Sequence, residues 1–218
     1  MTAPVVLVVA AGPGVSGSVA RLLAADGYRV GLLGSDAEAV DELAASISDD
    51  PDVVRRAVVD ATDVAGLTGE LTQMARAFGR VDVLHFNPSA YRGKNPLEVT
   101  VDELLADVAV GVGALLTSVQ AVRPFMSAGG RITVTGSVAA DRPSPDAATL
   151  GVQKAGVRNL VTSLDAHLRG DGIRAVSVTV RGALAREGAF TPDRVAAAIV
   201  AAARQDEAGW RTEVPYDG

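Results

Sequence analysis

Six short valine-rich runs recur along this chain, each followed by a longer alanine-rich stretch of helical period, and few folds accept that alternation. The runs are Val5–Ala10, Tyr28–Leu33, Val53–Val59, Val81–Phe86, Arg131–Thr135 and Ile173–Val180. They are nearly continuous in apolar residues, as strands buried on both faces of a parallel sheet require. Helical patterns fill the gaps at Val15–Ala25, Ala37–Ile47, Val64–Phe78, Val101–Met126 and Ala147–Arg169. A last helix is expected at Arg194–Arg204 and a short strand near Arg211–Pro215. Alternating strand and helix predict right-handed crossovers, hence a doubly wound parallel α/β sheet in three layers, α/β/α. No linker, repeat or charge run divides the 218 residues, so residues 1–218 are read as one domain.

Local start signals agree with this layout. Ser35 with Glu38 and Thr100 with Glu103 have capping-box spacing, and Thr191-Pro192 sets an N-cap residue before a proline at the first helical position. Asn87–Thr100, with Pro88, Gly93 and Pro96, is the longest loop that follows a strand.

Composition excludes several functions. The net charge of −6, with scattered arginines, disfavours nucleic-acid binding through phosphates. The absence of cysteine removes disulfides and thiolate metal sites. Neither His85 nor His167 falls in a metal-ligand spacing; His85 is expected as a satisfied strand residue and His167 as exposed. The start, Met1-Thr2-Ala3-Pro4 and then Val5 to Ala11, lacks the basic region of a secretory signal and reads as a buried strand. Apolar runs broken by Gly, Asp or Arg read as too short to cross a bilayer. A cytoplasmic protein without a membrane partner is expected.

The turn after the first strand is the chief chemical signal. Gly12, Gly14 and Gly17 fit G-x-G-x-x-G between a buried strand and an Ala/Leu-rich helix. Glycine there permits the tight turn, lets a pyrophosphate approach the backbone, and brings helix against sheet. The helix N-terminus then offers free amides to phosphate. This points to dinucleotide binding of the Rossmann kind, with Ser16 in the same turn. At the end of the second strand, Ser35 could bond either cofactor form. Asp36 would suit the ribose hydroxyl of NAD, or would simply sit in a helix's first turn. NAD and NADP both remain open.

Further motifs in the same order resemble the short-chain dehydrogenase/reductase family, across essentially the whole chain. Asp60-Ala61-Thr62-Asp63 is similar to a segment whose first aspartate meets the adenine. Val81-Asp82-Val83-Leu84-His85-Phe86-Asn87-Pro88-Ser89 is similar to the D-x-L-V-N-N-A-G stretch under the cofactor. Gly130 to Ser137 resembles the strand ending in the catalytic serine, and Lys154-Ala155-Gly156-Val157 the end of Tyr-x-x-x-Lys. The glycine turn is a variant, since T-G-x-x-x-G-I-G aligns with Val9 to Ser16 and puts Ala10 and Ser16 at two glycine positions. The Gly-Pro-Gly turn, Asn-Pro-Ser and a tail Q-x-x-x-x-W-x-x-E (Gln205, Trp210, Glu213) resemble a divergent branch of the family.

The resemblance implies an oxidoreductase with a serine, a tyrosine, a lysine and an asparagine in catalysis. Ser137 and Lys154 stand at their positions. The tyrosine position holds Leu150, which can neither donate nor accept a proton, and the asparagine position aligns with Gly111. Tyr91, or neighbouring Arg92, is the substitute candidate near the end of the fourth strand; the plainer alternative is an aromatic packed over the cleft. The run Val180-Arg181-Gly182-Ala183 reaches Thr191 quickly, so the substrate lid is short. Three expectations follow from the resemblance: weak or unconventional hydride chemistry on a small carbonyl or alcohol; a non-catalytic dinucleotide-binding sensor; or lost cofactor binding, signalled by Ala10 and Ser16. A homo-oligomer, dimer or tetramer, is expected through Val101–Met126 and Ala147–Arg169.

Overall fold

A computed structural model describes residues 3–218; the Met1-Thr2 part of the signal-peptide reading lies outside the described residues. Seven strands form one sheet, β1 (Val5–Val9), β2 (Arg29–Gly34), β3 (Val54–Val58), β4 (Val83–Phe86), β5 (Arg131–Ser137), β6 (Arg174–Val180) and β7 (Glu213–Tyr216). Every pairing is parallel and the order is β3-β2-β1-β4-β5-β6-β7. The chain therefore reverses direction across the sheet between β1 and β4, which opens a crevice at their carboxyl ends.

The sheet is buried on both sides. Val5, Leu7 and Val9 enter a core with Leu67 and Leu71 of α3 (Val64–Phe78) and Leu115 of α5 (Ala114–Val122). Val6 and Val8, one residue out of phase, enter a second core. That core holds Val19 of α1 (Val15–Ala25), Val40 of α2 (Ala37–Ala45) and Ile199 of α7 (Pro192–Ala203). Each fully buried Val or Leu contributes about 1.5–3 kcal/mol relative to exposure. The continuous apolar runs of the sequence are thus explained, because no strand face of β1 meets water.

Helix starts mostly follow the sequence signals. Thr100 and Glu103 form the expected capping box at α4 (Val101–Val108), and the Thr191 side chain accepts the amide of Arg194 at the start of α7. The Ser35–Glu38 box does not form. Asp36 is the N-cap of α2 instead, its carboxylate accepting the Ala39 amide at 3.2 Å, because the helix begins at Ala37, as its pattern predicts, and the residue before it is Asp36.

The expected single helix Val101–Met126 is also revised. A π turn, Ala109–Gly113, separates α4 from α5, and Met126 is extended. By length and composition the run Val101–Phe125 could cross a bilayer, contrary to the reading that no run is long enough. Half of its most apolar window is buried within the domain, where α5 packs on α3 and α4 on α6 (Ala148–Leu168). Its apolar character is that of a core helix.

The tail motif fastens β7. Gln205 bonds the carbonyl and the amide of Arg211, and the Trp210 indole donates to the Ala175 carbonyl between the Arg131 and Arg174 guanidinium groups. Glu213 accepts from Thr179 at 2.6 Å and from Arg158 at 3.1 Å. The Tyr216 hydroxyl then donates to the Ala189 carbonyl at 2.6 Å, and its ring meets Phe190 edge-on, so the short segment after β6 is held by the last strand.

His167 is exposed, as expected. His85 is fully buried in β4, with Nδ1 3.0 Å from the Thr133 hydroxyl; Nε2 has no partner among the described residues, so the ring is only half satisfied. Burial lowers its pKa from 6.5 to about 4. The unfolded chain therefore takes a proton that the folded one refuses, and stability falls as pH drops from 6.5 towards 4. Urea midpoints of His85→Gln against wild type over that window should show a shallower acid loss in the variant, by up to about 3 kcal/mol. Parallel acid limbs would show that the ring does not titrate in this way.

Candidate functional site

The crevice at the strand ends has two lobes that share Ser89. The inner lobe, about 390 Å³, is lined by Gly14, Asn87, Tyr91, Ser137, Leu150 and Lys154 among others. The outer lobe, about 260 Å³, is lined by Ala10, Ser35, Asp60, Ala61 and Pro88 among others. Residues as distant in sequence as Gly14 and Lys154 meet here because each ends a strand or opens the following helix on the same edge of the sheet.

The glycine turn is built for close approach. A Cβ on Gly17 would lie 2.3 Å from the Gly12 carbonyl oxygen, so this glycine is required by the packing of α1 on its own turn. Cβ atoms on Gly12 or Gly14 would meet nothing within 4 Å, so packing does not explain the bare backbone there. Gly14 is the N-cap of α1 and supplies no capping side chain, which leaves the first-turn amides open to an anion. Ala10, at the resemblance's first glycine position, adopts φ 60°, the left-handed region that disfavours any residue with a Cβ. Ser16 and Gly17 are buried in α1 and line neither lobe; Gly12 forms the turn behind them.

In the outer lobe, Asp60 accepts two hydrogen bonds from Thr62, at 2.8 Å from its amide and 2.7 Å from its hydroxyl, and these lower its pKa. Ser35 lines this lobe, whereas Asp36 is occupied as a helix cap and does not. Asp60 is the one charged residue among the described lining residues.

The inner lobe is set by β5 and α6. Ser137 ends β5, and its Oγ accepts the Ala139 amide at 3.2 Å, which leaves the hydroxyl proton free. Lys154 is only 5% exposed, so it is not a surface helix lysine. Its Nζ donates to the Thr135 carbonyl at 3.0 Å, and burial lowers its pKa from 10.5 to about 8. Among the described residues no carboxylate lines this lobe, and Leu150 presents an apolar wall. Tyr91 is 76% exposed at the mouth. Arg92 turns away from the cleft, forked onto Asp107 by two bonds of 2.9 Å with Glu103 at 3.2 Å, and so clamps the loop after β4 to α4. Lys94 joins the same clamp through Glu103 at 2.5 Å.

One residue that sequence reasoning passed over is Gln153. Fully buried beside Lys154, it accepts the Ala90 amide at 3.2 Å and donates to the Asp107 carbonyl at 3.0 Å. It thereby ties the loop after β4 to the last turn of α4. A Cβ on Gly111 would lie 2.2 Å from Gln153 Cγ, so the glycine in the π turn makes room for this carboxamide. No sequence signal marked it, because its burial and its partners appear only in the folded chain.

Taken together, the open glycine turn, the helix N-terminus and the spare donors of Lys154 suit an elongated anionic ligand with a diphosphate in its middle. A profile of the short chain dehydrogenase family matches residues 4–185. The chain is 31% identical over 176 residues to the meso-2,3-butanediol dehydrogenase of Serratia marcescens, spanning 80% of this chain and 69% of that one. It is 26% identical over 177 residues to the D-threitol dehydrogenase of Mycolicibacterium smegmatis, spanning 80% and 68%. A short chain dehydrogenase from Burkholderia cenocepacia in complex with NADP superposes with a TM-score of 0.90 at 24% identity, covering 100% of this chain and 97% of that one.

The Gly111–Gln153 contact gives a double-mutant cycle. Gly111→Ala should destabilise the protein by about 2 kcal/mol through overpacking. In a Gln153→Ala background the same change should cost less than about 0.5 kcal/mol, because the clashing atoms are gone. Equal costs in both backgrounds, measured by urea unfolding, would refute the contact.

Proposed function

The chain belongs to the short-chain dehydrogenase family, and from that premise we propose that it is a dinucleotide-binding oxidoreductase whose turnover on small carbonyls or alcohols is weak or unconventional. The cofactor is NAD or NADP, and the residues present fit it: the Gly12–Gly14 turn and the α1 amides would hold the diphosphate. Ser35 and Asp60 would border the adenosine end, and Asn87 and Lys154 the nicotinamide end. When bound, the cofactor supplies or accepts a hydride.

The observation that carries the reading is that Ser137 and Lys154 line one lobe beside the open end of the glycine turn. Ser137 has a free hydroxyl proton to donate to a carbonyl oxygen, which orients and polarises it. Lys154 brings positive charge to a lobe without a carboxylate. What is missing is a phenol between them, because Leu150 stands at the tyrosine position and cannot move a proton. Gly111, at the asparagine position, likewise offers no carboxamide. Tyr91 is the remaining phenol at the lobe and our candidate substitute, or an aromatic covering the mouth.

Leu150 also supports a second reading, a non-catalytic module that binds the dinucleotide and reports its state. The exposed Val101, Leu105 and Leu116 on α4–α5 and Val152 on α6 support assembly into a dimer or tetramer, to be measured by light scattering; a strict monomer would reject it. The cysteine-free sequence suits a cytoplasmic setting.

Titration with NADH and NADPH, followed by fluorescence and thermal shift, tests the reading. One of them at a hundredfold excess over its Kd should stabilise the protein by about 2.7 kcal/mol. No response to either would remove the dinucleotide reading. Leu150→Tyr should then raise turnover at least tenfold, screened first on vicinal diols and their ketones, the class to which the substrate of the Serratia relative belongs. Wild-type turnover equal to that of the variant would refute the claim of weak chemistry, and an unchanged rate in Tyr91→Phe would eliminate Tyr91.

A further inference from the structure

The inner lobe contains a lysine in an environment suited to an amine nucleophile. Lys154 is buried, it faces no carboxylate among the described lining residues, and its Nζ spends one hydrogen on the Thr135 carbonyl. The lobe it shares is walled by apolar Leu150, Val15, Val180 and Leu184, and its polar lining, Asn87, Ser89, Tyr91, Thr135 and Ser137, carries no formal charge. Desolvation without a counter-ion destabilises the ammonium, so the free amine gains population.

We propose that Lys154 is a carbonyl-capturing amine, which condenses with small aldehydes in the open cleft to form a reversible imine. The cleft is the one read above as the dinucleotide site, but the proposal stands on the environment of the lysine and not on that reading.

The chemistry balances without a further reactant. The amine nitrogen attacks the aldehyde carbon, the carbonyl π pair moves to oxygen, and one amine proton follows it to give the carbinolamine. The hydroxyl then leaves as water, taking the second amine proton, and the C=N bond forms. Ser137, whose hydroxyl proton is free, lines the same lobe and can bond the carbinolamine oxygen. At a pKa of about 8, roughly a tenth of the amine is neutral at pH 7, against less than one part in a thousand for an ordinary lysine. The small exposure of the side chain restricts capture to short aldehydes.

The sequence provides its own control, because Lys94 is the only other lysine. Lys94 is more exposed, and its Nζ is paired with the Glu103 carboxylate at 2.5 Å. The full-length protein, free of dinucleotide, is incubated at pH 7 with propanal and sodium cyanoborohydride, and the propylated lysines are mapped by peptide mass spectrometry. The expected result is modification of Lys154 at least tenfold faster than Lys94 despite its burial, unchanged in Lys94→Arg. Modification of Lys154 no faster than Lys94 overturns the proposal, and this comparison needs no variant at position 154. Repeating the reaction under saturating NADH or NADPH separates the two ideas. Protection supports both; faster labelling of Lys154 in a protein that binds neither dinucleotide supports this proposal and removes the other reading; and dinucleotide binding without preferential labelling does the reverse.

Discussion

The placement of β1 between β2 and β4, buried on both faces, governs the rest of the molecule. Its backbone groups are used by parallel partners on either side, and its side chains alternate between two cores. Such a strand has no lateral surface on which to put chemistry. The chain can expose functional groups only where the strands stop and the connections diverge, which is the edge that carries the glycine turn, Asn87, Ser137 and, on the following helix, Lys154. The continuity of the apolar runs and the location of the cleft are therefore one constraint seen twice.

The second structural dependence runs through α6. Leu150, Gln153 and Lys154 occupy a single turn of that helix, and each meets a different partner: the open lobe, the π turn at Gly111, and the end of β5. The π turn puts an extra residue into the helical ladder between α4 and α5, beside Gln153. Asp107 faces Arg92 while its carbonyl accepts from Gln153. The loop after β4 is fixed from two sides by these contacts, so the lip of the cleft is set by the ion pair of the loop's own Arg92 and by the hydrogen bonds of Gln153.

Strand and helix order was legible in the sequence because both periods are strong and the strands are doubly buried. Boundaries set by competition were less so. Ser35 and Asp36 are both good caps, and the helix, which begins at Ala37, takes Asp36. The break at Ala109–Gly113 has no periodic signature, since Gly and Val there continue an apolar helix pattern; it becomes intelligible once Gln153 is known to need the space above Gly111. Spacing picked out Gly14, Asn87, Ser137, Leu150 and Lys154, and these five line one lobe of the cleft. It could not show that Ser16 is buried, that Arg92 is committed to Asp107, or that Lys154 lacks a carboxylate partner. These are properties of three-dimensional neighbours and leave no trace at fixed sequence offsets.

Two side chains oppose folding, and both lie at the cleft. Ala10 holds a left-handed conformation that glycine would adopt freely, a strain of about 1 kcal/mol. Lys154 is desolvated without an acidic partner, so its charged form weighs against the folded state at neutral pH. Neither is forced by the core: the strands and helices around them are regular, and a glycine or an apolar side chain would relieve each. Unfavourable groups persist where the surroundings over-determine them, and such groups cluster at binding and reactive sites. Gly12 and Gly14, bare without a packing reason, add a third instance, since their flexibility in the unfolded chain also weighs against folding. That all of these converge on one crevice, while the tail motif Gln205, Trp210 and Glu213 is fully spent on fastening the last strand, argues that the cleft is where this chain gives up stability for chemistry or binding. Leu150 adds an apolar wall to that cleft beside the Lys154 amine, the Ser137 hydroxyl and the open backbone of Gly14.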